Sequence, residues 1–190
     1  MAKLTAFTNM TLDGYFTGQN GDLSWAHTRA NKEDKEWNDF VANNAKGGGI
    51  LLLGRVTYDM MASYWPTPAA KQNDPETADG INKLQKVVFS RTLKTASWSN
   101  TRIVKDDMVA EVRKMKSEGN PGITILGSGS IVSQLTQTGL IDEYNIVINP
   151  IVIGKGRTLF EAIDKQFALK LTKSRPFKNG NVLLSYEPAA

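Results

Sequence analysis

Short, unbroken apolar segments are the feature that most constrains how this chain folds. Ile-Leu-Leu-Leu at 50–53 and Ile-Thr-Ile-Leu at 123–126 are bounded by glycines and are too short for buried helices. Runs of this kind are typical of strands buried on both faces of a parallel sheet. The predicted strands are residues 3–8, 50–53, 86–89, 101–104, 123–126, 143–148, 167–175 and 181–187.

Amphipathic segments separate most of these strands. The predicted helices are residues 31–46, 57–64, 107–118 and 130–138, with Asn31 as the cap of the first. Alternating strands and helices predict a three-layer α/β/α fold with a mixed, mainly parallel sheet. The last two strands follow each other directly, which predicts a C-terminal antiparallel hairpin. Residues 66–79, rich in Pro, Ala, Asn and Asp, are predicted to form a surface loop or lid.

Length and composition exclude several classes of protein. The 190 residues suit one domain, residues 1–190. There is no cysteine for a disulfide, thiolate metal site or thiol nucleophile, and the single histidine, His27, cannot form a multi-histidine metal site. We therefore expect no metal. No apolar run reaches the ~18 residues of a membrane helix, and no signal-peptide core follows Met1, so we expect a cytoplasmic protein without membrane contact.

The net charge of +4 comes from scattered Lys and Arg residues rather than a basic stripe with interleaved aromatics. We therefore expect no nucleic-acid partner, although the charge suits an anionic cofactor.

The first of three candidate phosphate-binding turns follows the strand at 50–53. Gly54 and Arg55 lead there into a helix that carries Thr57. Free N–H groups at a helix start attract anions. A cation at that end opposes the helix dipole by ~0.3–1 kcal/mol, so a bound phosphate would explain Arg55. A simple turn with a solvated arginine explains these residues equally well when they are considered alone.

Two further turns have similar chemistry. Ser90 and Arg91 follow the strand at 86–89, and an arginine at this position favours the 2′-phosphate of NADP over the ribose of NAD. The sequence Gly-Ser-Gly-Ser at 127–130 links a strand to a helix and allows close approach of a pyrophosphate. A polar loop and a serine-capped turn are the respective alternatives, since Val132 replaces the third glycine of a dinucleotide fingerprint. Three successive strand ends of this kind favour cofactor binding.

The order of these motifs resembles the dihydrofolate-reductase-like family. The branch it resembles most contains the reductase domain of bacterial riboflavin-biosynthesis deaminase–reductases. The matching segments are Thr-Leu-Asp-Gly-Tyr at 11–15, Gly-Arg-Val-Thr-Tyr at 54–58, Ser-Arg-Thr at 90–92, Gly-Ser-Gly-Ser at 127–130 and Pro-Ile-Val-Ile-Gly-Lys-Gly-Arg-Thr-Leu-Phe at 150–160. The resemblance implies NADPH as cofactor, hydride transfer to a small molecule, and a homodimer.

The resemblance also assigns site residues. The residues expected to bind the cofactor are Gly54, Arg55, Thr57, Ser90, Arg91, Gly127, Ser128, Gly129 and Ser130. Dihydrofolate reductases have a cis peptide between paired glycines at the last of these turns. The matching bond here is Gly127–Ser128, and we expect it to be cis.

The residues around the substrate depart from those of folate reducers. Such enzymes place one carboxylate on the first long helix, whereas this helix offers Glu33, Asp34, Glu36 and Asp39, and none stands out by position. We expect Asp13 to be catalytic, orienting a substrate or relaying a proton, although Leu-Asp-Gly is also a good turn signal. We expect Trp25 to stack against the substrate, with packing onto the core as its alternative.

The leading prediction is an NADPH-dependent reductase of a small heterocyclic substrate, either pterin-like or pyrimidinone-ribose-like. The alternatives are a non-catalytic NADPH-binding regulatory or interaction protein on the same fold, and a dimeric interaction module whose turns bind nothing.

Overall fold

The computed structural model of the chain describes residues 1–119 and 121–189. The strands are β1 (Leu4–Thr11), β2 (Tyr15–Gly18), β3 (Ile50–Gly54), β4 (Gln85–Phe89), β5 (Thr101–Val104), β6 (Ile123–Leu126), β7 (Glu143–Asn149), β8 (Gly156–Thr158), β9 (Leu169–Pro176) and β10 (Val182–Pro188). The helices are α1 (Arg29–Glu33), α2 (Lys35–Lys46), α3 (Arg55–Tyr64), α4 (Pro68–Asn73), α5 (Pro75–Lys83), α6 (Met108–Ser117) and α7 (Gly129–Gln137).

Eight of these strands form one sheet in the order β5-β4-β3-β6-β1-β7-β10-β9. The strands from β5 to β7 are parallel to their neighbours, while β10 runs antiparallel to both β7 and β9. The predicted mixed sheet with its C-terminal hairpin is therefore confirmed. The short strands β2 and β8 form a separate antiparallel pair, which the sequence analysis missed.

Helices cover both faces of the sheet, and strand β3 illustrates why. Its residues Ile50 and Leu52 join a core cluster with residues of α6 and α7, whereas Leu51 and Leu53 join a second cluster with residues of α3 and α5. Helix α2 covers the second face further along, through Trp37. A strand buried on both sides needs an unbroken apolar run, as the sequence has here.

The connections of β3 and β6 create a crevice at their carboxyl ends. These strands are neighbours, but the chain leaves β3 towards β4 and leaves β6 towards β7, on the other side of β1. Helices α3 and α7, which follow them, therefore pack on opposite faces. Open α/β sheets bind ligands at such a switch point.

Three predictions about local structure were wrong. Residues 66–79 are not a loop, because Thr67 and Asp74 cap two helices whose first residues are Pro68 and Pro75. Proline is favoured at the first helical position, where its missing N–H costs nothing. The helix predicted at 31–46 is split at Asp34, whose carboxylate caps α2. All peptide bonds of the described residues are trans, so Gly127–Ser128 is not cis.

Within residues 1–119 and 121–189, no helix combines the length and the apolar character that a bilayer span requires.

Candidate functional site

A cleft of about 2020 Å³ opens at the crevice and extends across the sheet face that carries α2 and α3. All three predicted turns line it. Their residues in the cleft are Gly54, Arg55, Thr57, Ser90, Arg91, Gly127, Ser128, Gly129 and Ser130. The turns follow β4, β3 and β6, which are neighbours in the sheet although β5 intervenes along the chain. The fold thus brings together every residue that the sequence assigned to the cofactor.

The two helices that begin in this cleft differ from the others at their first turn. Helices α3 and α7 have no side-chain cap. Each of the other α-helices in the described part of the chain is capped by a side chain; the capping residues are Thr28, Asp34, Thr67, Asp74 and Asp107. The first N–H groups of a helix need a partner, and an uncapped start with its positive dipole end favours an anion. The cleft therefore has two adjacent positions suited to phosphate.

A single hydroxyl links these two helix starts. Ser128 Oγ accepts a hydrogen bond from the backbone N–H of Gly54 at 2.9 Å and donates one to Thr57 Oγ1 at 2.9 Å. Ser128 has φ 58° and ψ 61°, a left-handed conformation that is unfavourable for residues other than glycine. Gly127, at φ 59°, is also left-handed. This trans turn of two left-handed residues stands where a cis bond was expected.

A bound phosphate is not required to explain Arg55. Its Nη1 donates to Asp59 Oδ2 at 2.9 Å, and both side chains are about half exposed. The carboxylate one turn later offsets the unfavourable placement of a cation at the start of α3. The alternative interpretation, an arginine at an ordinary strand-to-helix turn, therefore fits Arg55 as well as phosphate binding does.

Arg91 is in a different situation. It is exposed at the cleft, and the structure gives its side chain no hydrogen bond or ion pair with any described residue. Ser90 Oγ shapes the turn by accepting hydrogen bonds from the N–H groups of Thr92 at 3.3 Å and Leu93 at 3.0 Å. The end of β5 adds Lys105 to the same part of the cleft, a residue that the sequence analysis did not identify.

Asp13 holds a loop rather than facing the cleft. Its Oδ2 accepts hydrogen bonds from the backbone N–H groups of Ile153 at 3.1 Å and Gly154 at 2.7 Å. Hydrogen bonding from the Thr11 hydroxyl, and then from these two N–H groups, keeps the pKa of Asp13 below its ordinary value. Asp13 is not among the residues that line the cleft. This geometry agrees with the interpretation of Asp13 as a turn residue, since its carboxylate holds the loop at Ile153 and Gly154 in place.

Trp25 likewise lies away from the cleft lining. Its side chain is buried, and its indole N–H donates to the backbone oxygen of Asp22 at 3.2 Å. This agrees with packing onto the core, the alternative that the sequence left open. Burial of a tryptophan in a short 3-10 turn leaves no periodic signal in the sequence.

None of the four carboxylates that the sequence offers on the first long helix lines the cleft. Asp34 accepts from the N–H of Asn179 at 2.9 Å besides capping α2. Glu36 and Asp39 form surface ion pairs with Arg175 and Lys35, respectively. Helix α2 instead contributes Asn38, Val41 and Asn44 to the cleft.

The sheet supplies the opposite wall. Its cleft residues on this face include Thr5, Phe7, Asn9, Thr124, Glu143 and Asn145. Glu143 brings a carboxylate to this wall, where Oε2 accepts from Thr5 Oγ1 and from Asn145 Nδ2, both at 3.3 Å. These polar residues come from strands far apart in sequence, so only the register of the sheet reveals that they form one surface.

The β2–β8 pair overhangs the start of α7. A Cβ atom added to Gly129 would lie 2.6 Å from Cζ of Phe16 on β2, so any other residue at this position would displace the Phe16 ring. Phe16, Gly156 and Arg157 also line the cleft. The overhang narrows the cleft beside the phosphate-suited turn.

The fold and the cleft together define an α/β domain with a ligand-sized crevice at the carboxyl ends of its strands. Residues 2–183 match the family described as the RibD C-terminal domain, and the chain belongs to this family. The match confirms the resemblance carried by the motifs.

Individual comparisons agree with this assignment. The chain is 30% identical over 181 residues to the uncharacterised protein YyaP of Bacillus subtilis, covering 93% of this chain and 90% of the relative. Dihydrofolate reductase of Enterococcus faecalis, solved with NADP(H), has a TM-score of 0.64 at 16% identity, covering 99% of this chain and 97% of the other. A diaminohydroxyphosphoribosylaminopyrimidine deaminase/5-amino-6-(5-phosphoribosylamino)uracil reductase of Thermotoga maritima has a TM-score of 0.67 at 13% identity, covering 99% of this chain and 57% of the other.

Proposed function

We propose that this protein is an NADPH-dependent reductase that transfers a hydride to a small heterocyclic substrate in the cleft. The observation that carries the proposal is the pair of uncapped helix starts, α3 and α7, beside the unpartnered Arg91. Two phosphate-suited positions next to a free guanidinium match a pyrophosphate and a separate 2′-phosphate.

The order of the strands supports one orientation of the cofactor. Ser90 and Arg91 follow β4, α3 follows β3, and α7 follows β6, with β1 next in the sheet. At about 4.8 Å per strand, the distance from β4 to β1 is on the order of 14 Å. In the proposed orientation the 2′-phosphate lies at β4, the pyrophosphate at β3 and β6, and the nicotinamide at β1. Lys105 adds a second cation near the 2′-phosphate.

Bound NADPH would supply the hydride, and the protein would supply position and a dry environment. The aromatic and aliphatic residues of the cleft, such as Phe7, Phe16 and Val41, would exclude water from the reacting atoms. The lowered pKa of Asp13 makes it a poor proton donor at neutral pH. We therefore propose that Asp13 is a positioning residue, which holds the loop before β8, and that water supplies the proton.

A pterin-like or pyrimidinone-ribose-like compound is the proposed substrate. The amides of Asn38, Asn44 and Asn145 and the carboxylate of Glu143 line the cleft, and they suit the donors and acceptors at the edge of such a ring. The Thermotoga maritima protein, which shares the fold, is described as a reductase of a phosphoribosylamino-uracil. Trp25 is buried and is not part of the cleft lining, and we propose that it supports the pocket without touching the substrate.

The cofactor assignment is tested by replacing Arg91 with alanine. Loss of an arginine–phosphate contact costs about 1.5–3 kcal/mol, so the ratio of NADH to NADPH dissociation constants should fall by a factor of roughly 10–100. Arg113→Ala, which removes an exposed arginine of α6 outside the cleft, is the matched control and should leave the ratio unchanged. If the ratio of dissociation constants were unchanged in Arg91→Ala, the assignment of the 2′-phosphate to this position would be wrong.

The carboxylate of Asp13 accepts hydrogen bonds from a loop and does not line the cleft. This observation favours one alternative, a non-catalytic NADPH-binding regulatory or interaction protein on the same fold. Turnover distinguishes the two. A reductase consumes NADPH, followed by absorbance at 340 nm, when pterins or pyrimidinone-ribose compounds are added, whereas the alternative binds NADPH without consuming it.

We propose further that the protein is a homodimer. Strand β9 lies at the edge of the sheet, is exposed along most of its length, and carries the exposed apolar side chains Leu169 and Leu171. An exposed edge with apolar residues is suited to a second copy of the chain.

A further inference from the structure

Strand β1 carries a buried hydroxyl with no partner. Thr8 is 3% exposed, and its Oγ1 has no hydrogen-bond partner among the residues that the structure describes. Thr8 nonetheless belongs to the residues that line the cleft. A buried hydroxyl without a partner destabilises a fold, and such groups are uncommon. A bound ligand that hydrogen-bonds to the Thr8 hydroxyl would explain why this group is buried at the cleft without a partner from the protein.

The neighbours of Thr8 connect it to the start of α7. The carbonyl oxygen of Phe7, the preceding residue, accepts a hydrogen bond from the N–H of Gly127 at 3.1 Å. Leu4 and Ala6, four and two positions earlier on the same side of β1, pack in one cluster with Ile131 of α7. The Thr8 hydroxyl is thus on the α7 side of the sheet, one strand beyond the uncapped turn.

We propose that the Thr8 hydroxyl binds the carboxamide of the nicotinamide ring, an inference that rests on the proposed function. The free hydroxyl can both donate and accept, and a carboxamide offers both an N–H donor and a carbonyl acceptor. A phosphate offers only acceptors, and its charge would be costly to bury at a position that is 3% exposed. In the strand order β4, β3, β6, β1, the position of Thr8 corresponds to the nicotinamide end of the cofactor.

The test uses Thr8→Val, which keeps the shape of the side chain and removes the hydroxyl. Two ligands are titrated, NADPH and 2′-phospho-ADP-ribose, which has the phosphates but lacks the nicotinamide. We expect Thr8→Val to weaken NADPH binding by about three- to tenfold, the equivalent of one ordinary hydrogen bond, and to leave 2′-phospho-ADP-ribose unchanged. Thr8→Ser, which retains a hydroxyl, should restore most of the NADPH affinity.

The melting temperature is a second measurement. It distinguishes a threonine whose hydroxyl stabilises the fold from one whose hydroxyl has no partner in the absence of a ligand. Without cofactor, Thr8→Val should melt at a higher temperature than the wild type, because it removes a buried polar group that has no partner. Thr136→Val is the control, since Thr136 is buried on α7 outside the cleft lining and its hydroxyl accepts a hydrogen bond from Tyr144 at 3.0 Å. It should lower the melting temperature without changing NADPH affinity.

The outcomes separate the two proposals. If the wild type does not bind NADPH, the proposed function fails. If the wild type binds NADPH and Thr8→Val binds it equally well, only the Thr8 inference is overturned. Equal weakening of NADPH and 2′-phospho-ADP-ribose would also overturn it, because the hydroxyl would then act on the phosphates.

Discussion

Replacement of Ser128 by alanine is expected to loosen the junction between the two helix starts. The Ser128 hydroxyl accepts from the N–H of Gly54 and donates to Thr57 Oγ1. Alanine leaves the partly buried Gly54 N–H without a partner, at about 1–3 kcal/mol, and removes one further hydrogen bond worth about 0.5–1.5 kcal/mol. We expect a loss of about 2–3 kcal/mol in the free energy of unfolding, which lowers the Tm by roughly 4–12 °C for a domain of this size.

Ser128→Gly separates the hydroxyl from the backbone conformation. It also lacks the hydroxyl, but glycine accepts the left-handed φ of 58° without the penalty of about 1 kcal/mol that alanine retains. Ser128→Gly should therefore be more stable than Ser128→Ala by about that amount. Both variants should bind NADPH more weakly than the wild type, because the spacing of the two phosphate-suited helix starts is no longer fixed.

The assay is chemical denaturation of Ser128→Ala, Thr57→Val and the double variant. Since the two hydroxyls bond to each other, the double-mutant cycle should give a coupling of about 1 kcal/mol. Additive losses, or a Ser128→Ala variant within 0.5 kcal/mol of the wild type, would refute the role of this hydroxyl as the link between α3 and α7.

Two further predictions concern stability and assembly. Burial lowers the pKa of Lys86, whose ammonium donates to the carbonyls of Asn82, Leu84 and Ser99, to about 8 from the ordinary 10.5. Between pH 8 and 10.5 the unfolded chain then binds more protons than the folded one. As the pH rises through this range, the free energy of unfolding of the wild type should therefore increase by up to about 3 kcal/mol relative to that of Lys86→Met. If urea unfolding gave the wild type and Lys86→Met the same change in unfolding free energy with pH, this prediction would be contradicted. Leu171→Lys should convert the proposed dimer to a monomer in light scattering, and a wild type that is already monomeric would rule out the dimer.

The core of the sheet could be predicted from the sequence because β3 and β6 coincide with short, unbroken apolar runs. It missed the helices at 68–73 and 75–83 because proline and aspartate are read as loop residues. In the structure, Thr67 and Asp74 are caps, and the prolines that follow them occupy the first helical positions. Composition alone does not distinguish a loop from two short capped helices.

The candidate site was predictable where its residues are contiguous and unpredictable where they are not. The turn at 127–130 carries its own signal in small residues between a strand and a helix. Thr8 and Glu143 carry none, because their positions in the cleft depend on the pairing of β1 with β6 and β7. Asp13 has a sequence signal that fits both a turn and a catalytic group, and only its hydrogen bonds to Ile153 and Gly154 indicate the turn.

Calorimetric titration of the wild-type protein with NADPH tests the central proposal most directly. The uncapped starts of α3 and α7 and the free guanidinium of Arg91 predict one site per chain with a dissociation constant below 1 mM, or more than about 4 kcal/mol of binding free energy. The same titration with NADH should give a clearly weaker site. Absence of binding at millimolar NADPH would contradict the assignment of this cleft to a dinucleotide.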